Sequence, residues 1–173
     1  APVVVTRDYR MNRQSVSPLE PRAVLAHWDE RADELVVHLS TQVPHLMRTG
    51  LSQVLDLPTH QLRIIAPDVG GGFGGKFEPY GEPVAALLSK KTGHPVKMTM
   101  TRTEVFEGTG PASAAQMKAK VGGTKDGRIT AAYAELGFEA GAFPGSAVGA
   151  GPQGMFNAYN IENVLIDGYD VVV

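Results

Sequence analysis

Short blocks of apolar and polar residues alternate along the chain, and the pattern predicts more strands than helices. Arg22–Trp28 and Glu34–Leu39 are apolar and rich in β-branched residues, and the segment between them is charged. This arrangement predicts two antiparallel strands joined by a charged turn. Further strands are predicted over Leu62–Ala66, Val96–Thr101 and Val164–Val173.

A hairpin is predicted in the second half of the chain. Gln116–Val121 and Ile129–Phe138 flank Lys125-Asp126-Gly127, and Asp-Gly between two apolar runs is a strong turn signal. The segment Gly137–Gly154 is rich in glycine and small residues, which predicts an irregular surface loop.

Two segments show the spacing of helices. Apolar residues recur at helical intervals within Pro44–Leu55, with the proline suited to the first turn. Pro83–Lys91 is the second candidate, closed by Gly93 and Pro95 in the usual stop pattern. The predicted class is α+β, with mixed or antiparallel sheets and two or three helices.

Residues 70–76, Gly-Gly-Gly-Phe-Gly-Gly-Lys, form a loop directly after the strand predicted at Leu62–Ala66. We call residues 70–76 the glycine loop. Glycine has no side chain to bury, and each one loses more conformational entropy on folding than other residues do. Such a run therefore indicates unusual backbone angles or the close approach of a ligand.

Composition narrows the partners and the chemistry. The 173 residues are 43% hydrophobic and carry a net charge of −2, which gives no reason to expect nucleic acid. No apolar run approaches the ~18 residues of a membrane span. The chain has no cysteine, so it can hold neither a thiolate zinc site nor an iron–sulfur cluster. Its five histidines show no metal-ligand spacing, and no metal ligand is predicted.

Two phosphate-binding motifs resemble the glycine loop in part. Gly70, Gly72 and Gly75 satisfy G-x-G-x-x-G, but that motif opens a helix at once, whereas prolines and a further glycine follow here. Gly70, Gly75 and Lys76 also match the P-loop spacing, yet Phe77 stands where Ser or Thr would hold magnesium. A nucleotide-binding module therefore stays an alternative, although each motif lacks one of its required features.

A third interpretation rests on resemblance. The strand and glycine loop, Ile64-Ile65-Ala66-Pro67-Asp68-Val69 and then residues 70–76, resemble the molybdopterin-binding large subunits of the xanthine dehydrogenase, aldehyde oxidase and carbon monoxide dehydrogenase family. Other segments resemble the same family in order along the chain: Pro18-Leu19-Glu20-Pro21-Arg22, Ser40-Thr41-Gln42, Glu82 with Ala85-Ala86-Leu87-Leu88, Lys91–Val96, Thr101-Arg102, Asp126-Gly127-Arg128-Ile129 and Gly141-Ala142-Phe143.

The resemblance implies a cofactor and a site. The cofactor would be molybdopterin, a pterin whose own sulfurs hold the molybdenum. In some members of the family it is carried as a cytosine dinucleotide. Gln42 would donate hydrogen bonds to an oxygen on molybdenum, while Gly71, Gly72, Phe73 and Gly74 would lie against the cofactor. Taken alone, Gln42 could equally be a strand-end amide satisfied by backbone, and Phe73 a core aromatic. Glu20, Lys76, Glu82 and Arg102 are interpreted as scaffold charges.

The sequence also departs from the family. Xanthine-type members carry Glu directly after the motif lysine, where it orients purine, and this chain has Phe77 there. The general-base glutamate of the family belongs to a later segment, so no catalytic residue is predicted in this chain.

The chain starts with Ala1-Pro2-Val3-Val4-Val5, a mid-strand pattern, and ends in Val171-Val172-Val173. We expect residues 1–173 to be a single partial molybdopterin-binding domain of a longer large subunit. Its expected partners are the remainder of that subunit and domains or subunits that carry FAD and 2Fe-2S clusters. The complete enzyme would oxidise an aldehyde, an N-heterocycle or CO with water-derived oxygen, and the isolated chain would be inactive. A non-catalytic structural domain is a further alternative. Since no signal-peptide pattern is visible, a cytoplasmic location is the default expectation.

Overall fold

The computed structural model describes residues 1–141 and 145–173, which fall into two compact units. Ser15–Pro111 form the central unit, and Ala1–Gln14 with Ala112–Val173 form the terminal unit. The strands in chain order are β1 (Val3–Met11), β2 (Ala23–Asp29), β3 (Glu34–Leu39), β4 (Leu62–Ile65), β5 (Val96–Thr99), β6 (Ala115–Gly123), β7 (Ile129–Glu139) and β8 (Asn163–Val171). The helices are α1 (Pro44–Leu55), α2 (Glu82–Thr92), α3 (Arg102–Gly108) and α4 (Gly151–Gly154).

The central unit is a four-stranded mixed sheet in the order β4-β3-β2-β5. β2 pairs antiparallel with β3 and with β5, while β3 and β4 run parallel. The parallel pair requires a crossover, which α1 supplies. Burial alternates along β2, so one face of the sheet is apolar. α1 and α2 cover that face with Met47, Leu51, Ala85 and Ala86.

The terminal unit is a second four-stranded sheet in the order β1-β6-β7-β8. Its core contains Ala115, Ala134, Leu136 and Phe138. Along β7 the last three alternate with less buried positions, as a one-sided sheet requires. The β6–β7 turn has Gly127 at φ +96°, a left-handed angle that glycine adopts without steric cost. At the sheet edge, β1 is exposed at all nine positions.

Most of the predicted elements are confirmed. The β2–β3 pair, α1, α2 and the β6–β7 hairpin lie where the pattern predicts them, and the α+β class is confirmed. The strand predicted at Val96–Thr101 ends at Thr99 because Thr101 caps α3, a helix that the pattern missed. The loop predicted at Gly137–Gly154 is partly wrong, since β7 continues to Glu139 and α4 lies within it. Ala142 and Phe143 of the Gly-Ala-Phe motif lie outside the described residues.

The described residues form four α-helices, of which α3 and α4 are short. The sequence predicted two or three helices, and the four-residue α4 is the additional one. Within residues 1–141 and 145–173, none of the helices combines the length and apolar character that crossing a membrane requires.

Candidate cofactor site

The glycine loop contains a tight turn in an unusual backbone conformation. The Gly75 N–H donates to the Gly72 carbonyl at 2.8 Å. Between them, Phe73 has φ +50° and Gly74 has φ +85°. Positive φ at both central positions is the pattern of type I′ turns, which glycine, asparagine and aspartate normally occupy. A phenylalanine there is an outlier that the surrounding structure must hold in place.

Phe73 points away from the core of the central unit. Its side chain is 72% exposed, although a bulky residue in the left-handed region costs roughly 1–2 kcal/mol. The chain therefore accepts backbone strain to present an aromatic ring outside the core. The simpler interpretation of Phe73 as a core aromatic does not fit this exposure.

Gln42 follows β3 and lies against the glycine loop. Its Oε1 accepts from the Gly74 N–H at 3.1 Å and from the Lys76 N–H at 3.4 Å. Because both partners are backbone donors, the oxygen side of the amide must face the loop. The Nε2 group makes no hydrogen bond with any described residue, and its two N–H donors are available to a ligand.

Gly72 is the residue that allows this approach. A Cβ built there would overlap the Gln42 side chain, so any residue other than glycine would displace the amide. Sequence reasoning predicted a glycine requirement at this loop, and the structure identifies the Gln42 side chain as its cause at Gly72.

Beneath the loop lies an ion pair whose lysine is buried and whose carboxylate is partly exposed. Lys76 is fully buried, and its Nζ donates to Glu20 Oε2 at 2.7 Å. The same oxygen accepts from Ser40 Oγ at 2.6 Å and from the Gly70 N–H at 2.8 Å. We call Glu20, Ser40, Gly70 and Lys76 the Glu20 cluster. A buried ammonium requires such a partner, since an unpaired charge in the interior is very costly.

These contacts shift the acidity of Glu20. Burial by itself would raise the pKa of the Glu20 carboxyl, but hydrogen bonds from Lys76, Ser40 and Gly70 together outweigh it and lower the pKa below its ordinary value of 4.5. Glu20 is therefore a carboxylate at neutral pH, held as a hydrogen-bond acceptor.

Arg22 fixes the far end of the loop. Its guanidinium donates to the carbonyls of Gly75 and Glu78 and approaches Glu82 Oε1 at 3.4 Å. Glu82 Oε2 in turn accepts from the Tyr80 N–H at 2.5 Å. Arg22 and Glu82 are both buried, so this pair connects the start of β2, the loop and the start of α2.

The donor set indicates what the site can bind. Around Gln42 the available groups are neutral N–H donors and exposed loop backbone, which suit a ligand bearing oxygen acceptors. Among the described residues, no three His, Cys, Asp or Glu side chains cluster as metal ligands. The residues therefore fit a metal that brings its own ligands, as a pterin dithiolene does, and do not fit a bare cation.

The phosphate-binding alternatives lack their essential contacts. A P-loop lysine must reach the phosphates, whereas Lys76 Nζ is buried on Glu20. A dinucleotide loop opens a helix at once, and α2 does not begin until Glu82.

Comparison with known families decides between these interpretations. Residues 1–173 match the family model of the molybdopterin cofactor-binding domain. The chain belongs to this family. The resemblance of the motifs to molybdenum hydroxylase large subunits is thereby confirmed, and the nucleotide-binding alternative is not favoured.

Relatives of this molybdopterin-binding chain include subunits of several enzymes. It is 36% identical to the carbon monoxide dehydrogenase large chain of Afipia carboxidovorans over 146 residues, covering 83% of this chain and 18% of that one. It is also 36% identical to the nicotinate dehydrogenase large molybdopterin subunit of Eubacterium barkeri over 141 residues, covering 82% of this chain and 33% of the relative.

A solved structure has the same fold. The aldehyde oxidoreductase of Desulfovibrio gigas matches 98% of this chain and 19% of its own, with a TM-score of 0.72 and 27% identity. The chain spans between 14% and 33% of the length of the curated relatives it is compared with.

The structure brings the predicted site residues together. Gln42 and the Gly71–Gly74 segment form one surface. The predicted scaffold charges lie behind it in two ion pairs: Glu82 is in a buried pair with Arg22, and Lys76 is buried against the partly exposed Glu20. Ser40 and Arg22 were not predicted as part of the site. The sequence did contain a signal for both: Ser40 lies in the same motif as Gln42, and Arg22 lies in the same motif as Glu20.

Proposed function

We propose that this chain forms one wall of the cofactor pocket of a molybdenum hydroxylase, an oxidoreductase that oxidises an aldehyde, an N-heterocycle or carbon monoxide with oxygen derived from water. The observation that carries the proposal is the exposed Gln42 amide, whose oxygen is held by two loop N–H groups and whose two N–H donors bond to no described residue. Relatives named for carbon monoxide and nicotinate dehydrogenases support the reaction class.

The roles of the site residues follow from their contacts. Gln42 would donate to an oxygen acceptor of the cofactor, while Gly71, Gly72 and Gly74 allow the backbone to come close without a Cβ in the way. Phe73 would exclude water from one side of the pocket. When bound, the molybdenum–pterin would supply two-electron redox chemistry, and the chain's task is to bind and orient it.

Other parts of the enzyme complete the proposal. The cofactor is molybdopterin, and we propose that it is bound in its cytosine dinucleotide form. The general-base glutamate belongs to the remainder of the large subunit, and FAD and 2Fe-2S clusters belong to partner domains or subunits. The single partial domain over residues 1–173 and the cytoplasmic location stay predictions.

The residue after the motif lysine bears on the substrate. Phe77 and Glu78 are both exposed, and the Glu78 backbone is held by Arg22. Phe77 offers an apolar surface where a purine-binding site would place a carboxylate. We therefore propose a substrate other than a purine.

The test replaces Gln42 with glutamate in the complete enzyme. Gln42→Glu keeps the size of the side chain and its acceptor for the loop N–H groups, but removes both outward donors and adds a negative charge. We expect lower molybdenum and pterin content per chain and loss of aldehyde oxidation. Elemental analysis and pterin fluorescence measure the content.

Gln53→Glu is the matched control, because Gln53 is exposed on α1 and makes the same change of charge. We expect it to leave cofactor content unchanged. A wild-type enzyme without molybdenum or pterin would contradict the proposal and favour a non-catalytic structural domain. Full cofactor content and activity in the Gln42→Glu variant would show that Gln42 does not bind the cofactor.

A further inference from the structure

Three contacts converge on one carboxylate oxygen behind the glycine loop. Glu20 Oε2 accepts from the Gly70 N–H, where the loop begins, and from Lys76 Nζ, where it ends. The Glu20 N–H also donates to the Gly70 carbonyl at 3.2 Å. A single residue therefore holds both ends of the seven-residue loop, which fixes how far apart they lie.

The position of Lys76 depends on this contact. Its side chain is fully buried, so its ammonium group has no water to replace Glu20 as a partner. Because the lysine of the pair is enclosed, the contact is geometrically restrictive, unlike a fully exposed pair whose members can separate at little cost.

Lys76 also contacts Gln42 through its backbone. Its backbone N–H donates to Gln42 Oε1, and its carbonyl accepts from the Gln42 N–H at 3.3 Å and from Thr41 Oγ1 at 3.0 Å. A displacement of Lys76 therefore moves the Gln42 backbone and its amide together.

A second route connects Glu20 to the same amide. Ser40 lies two residues before Gln42, and its Oγ donates to Glu20 Oε2 at 2.6 Å. The segment 40–42 is thus anchored to the Glu20 cluster at one end and to the Lys76 backbone at the other.

We propose that Glu20 is a positioning residue, which acts through Lys76 and Ser40 to set the direction in which Gln42 presents its amide donors to the cofactor. The inference rests on the proposed function. It assigns Glu20 no contact with cofactor or substrate, and so no catalytic role.

The test is made in the complete enzyme with the double variant Glu20→Gln/Lys76→Met. Removing both charges together avoids leaving Lys76 buried and unpaired, so the variant retains the packing of the loop. We expect molybdenum content close to that of the wild type and a changed Mo(V) paramagnetic resonance spectrum. We also expect faster hydrogen exchange of the amides in residues 70–76, a readout independent of turnover.

The kinetic expectation separates positioning from binding. kcat should fall about tenfold or more while KM changes little. The reason is that the variant misplaces the Gln42 amide and leaves the contacts with the substrate unchanged. Gln42→Ala should produce the same change of spectrum. Combining it with the double variant should add little to either effect, since both act on one amide.

The control is Glu162→Gln, which breaks the exposed Arg128–Glu162 ion pair and should leave content, spectrum and turnover unchanged. A double variant with wild-type spectrum and kcat would overturn the inference alone. Effects that add fully to those of Gln42→Ala would do the same. Unfolding or complete loss of cofactor would also count against it, because it would show a merely structural role. A wild-type enzyme without molybdenum would instead contradict the proposed function.

Discussion

Gly72 lies where one additional methyl group would collide with Gln42. Its φ is not among the positive values of the chain, so alanine could adopt the same backbone angles. The cost of a substitution at Gly72 is therefore steric, and it falls on Gln42, the residue proposed to contact the cofactor.

We predict that Gly72→Ala destabilises the chain by about 1–3 kcal/mol, the usual cost of overpacking, because the methyl group displaces the Gln42 amide from the Gly74 and Lys76 N–H groups. Denaturant unfolding followed by circular dichroism measures the change. Gly50→Ala is the control, since Gly50 lies in α1 with open space around it, and alanine stabilises a helix interior by roughly 0.5–1 kcal/mol. Equal effects of the two substitutions would contradict the prediction.

The lowered pKa of Glu20 makes a prediction about pH. A carboxyl whose pKa is lower in the folded chain than in the unfolded chain stabilises the fold fully above its unfolded value, here 4.5. That contribution is lost as the pH falls through the folded value. The stability difference between wild type and Glu20→Gln should therefore be greater at pH 7 than in acid, and it should narrow as the pH is lowered below about 4.5.

Unfolding curves at a series of pH values between neutral and acid test this prediction. Glu162→Gln serves for comparison, because Glu162 is exposed and the substitution should change stability little at any pH. A difference between wild type and Glu20→Gln that stayed constant down to acid pH would mean that the charge of Glu20 does not stabilise the loop.

At the scale of elements, α3 depends on its first residue. The Thr101 side chain accepts a hydrogen bond from the Glu104 N–H, and Glu104 Oε2 accepts one from the Thr101 N–H at 2.6 Å. This capping box satisfies two backbone donors at the start of a helix that has seven residues and buries only Val105. With so little packing, the cap is a large part of what stabilises α3.

Thr101→Ala should therefore cost about 0.5–2 kcal/mol, the usual range for losing an N-cap. Thr103→Ala removes the same atoms from an exposed position of the same helix and should cost less. Both are measured as free energies of unfolding. If Thr103→Ala proved as costly as Thr101→Ala, the capping box would not be the cause.

The elements that could be predicted from the sequence are those with one buried face. β2 alternates buried and exposed positions, and α1 buries Met47 and Leu51 at helical spacing, so periodicity identifies both. α3 was missed because its signal is a local pair of polar residues next to a strand pattern. β1 has no buried face, so its pattern carries no information about which side faces a core.

The site divides in the same way. The glycines and Gln42 are visible in the sequence because their residue types are unusual at those positions. The burial of Lys76 is not, because it depends on Glu20, 56 residues away, and on Ser40. An isolated lysine after a glycine run predicts an exposed charge, and only the tertiary fold places it inside.

At the scale of the whole molecule, the carboxylate that contacts the glycine loop most directly is poorly suited to act as a general base. Glu20, the carboxylate hydrogen-bonded to the glycine loop, accepts from three donors and has a lowered pKa, which makes it a weaker proton acceptor than an ordinary carboxylate. A general base works best when its pKa lies near the operating pH and when it is within hydrogen-bond reach of the proton it removes.

We therefore predict that the purified 173-residue chain, without further subunits, does not oxidise aldehydes or N-heterocycles. A dye-reduction assay measures turnover, with the complete enzyme as the positive control. Turnover by the chain alone would show that a base exists within it.

The exposed strand β1 also determines how the isolated chain behaves in concentrated solution. Its outer edge has no strand partner among the described residues, and Val3, Val4 and Val5 stand exposed on it without a charge between them. Free edges of this kind recruit strands from other molecules, and charged side chains suppress the process. Along β1, aggregation should therefore begin at Val3–Val5 and not at the charged stretch Arg7–Arg10, and Val4→Lys should reduce it.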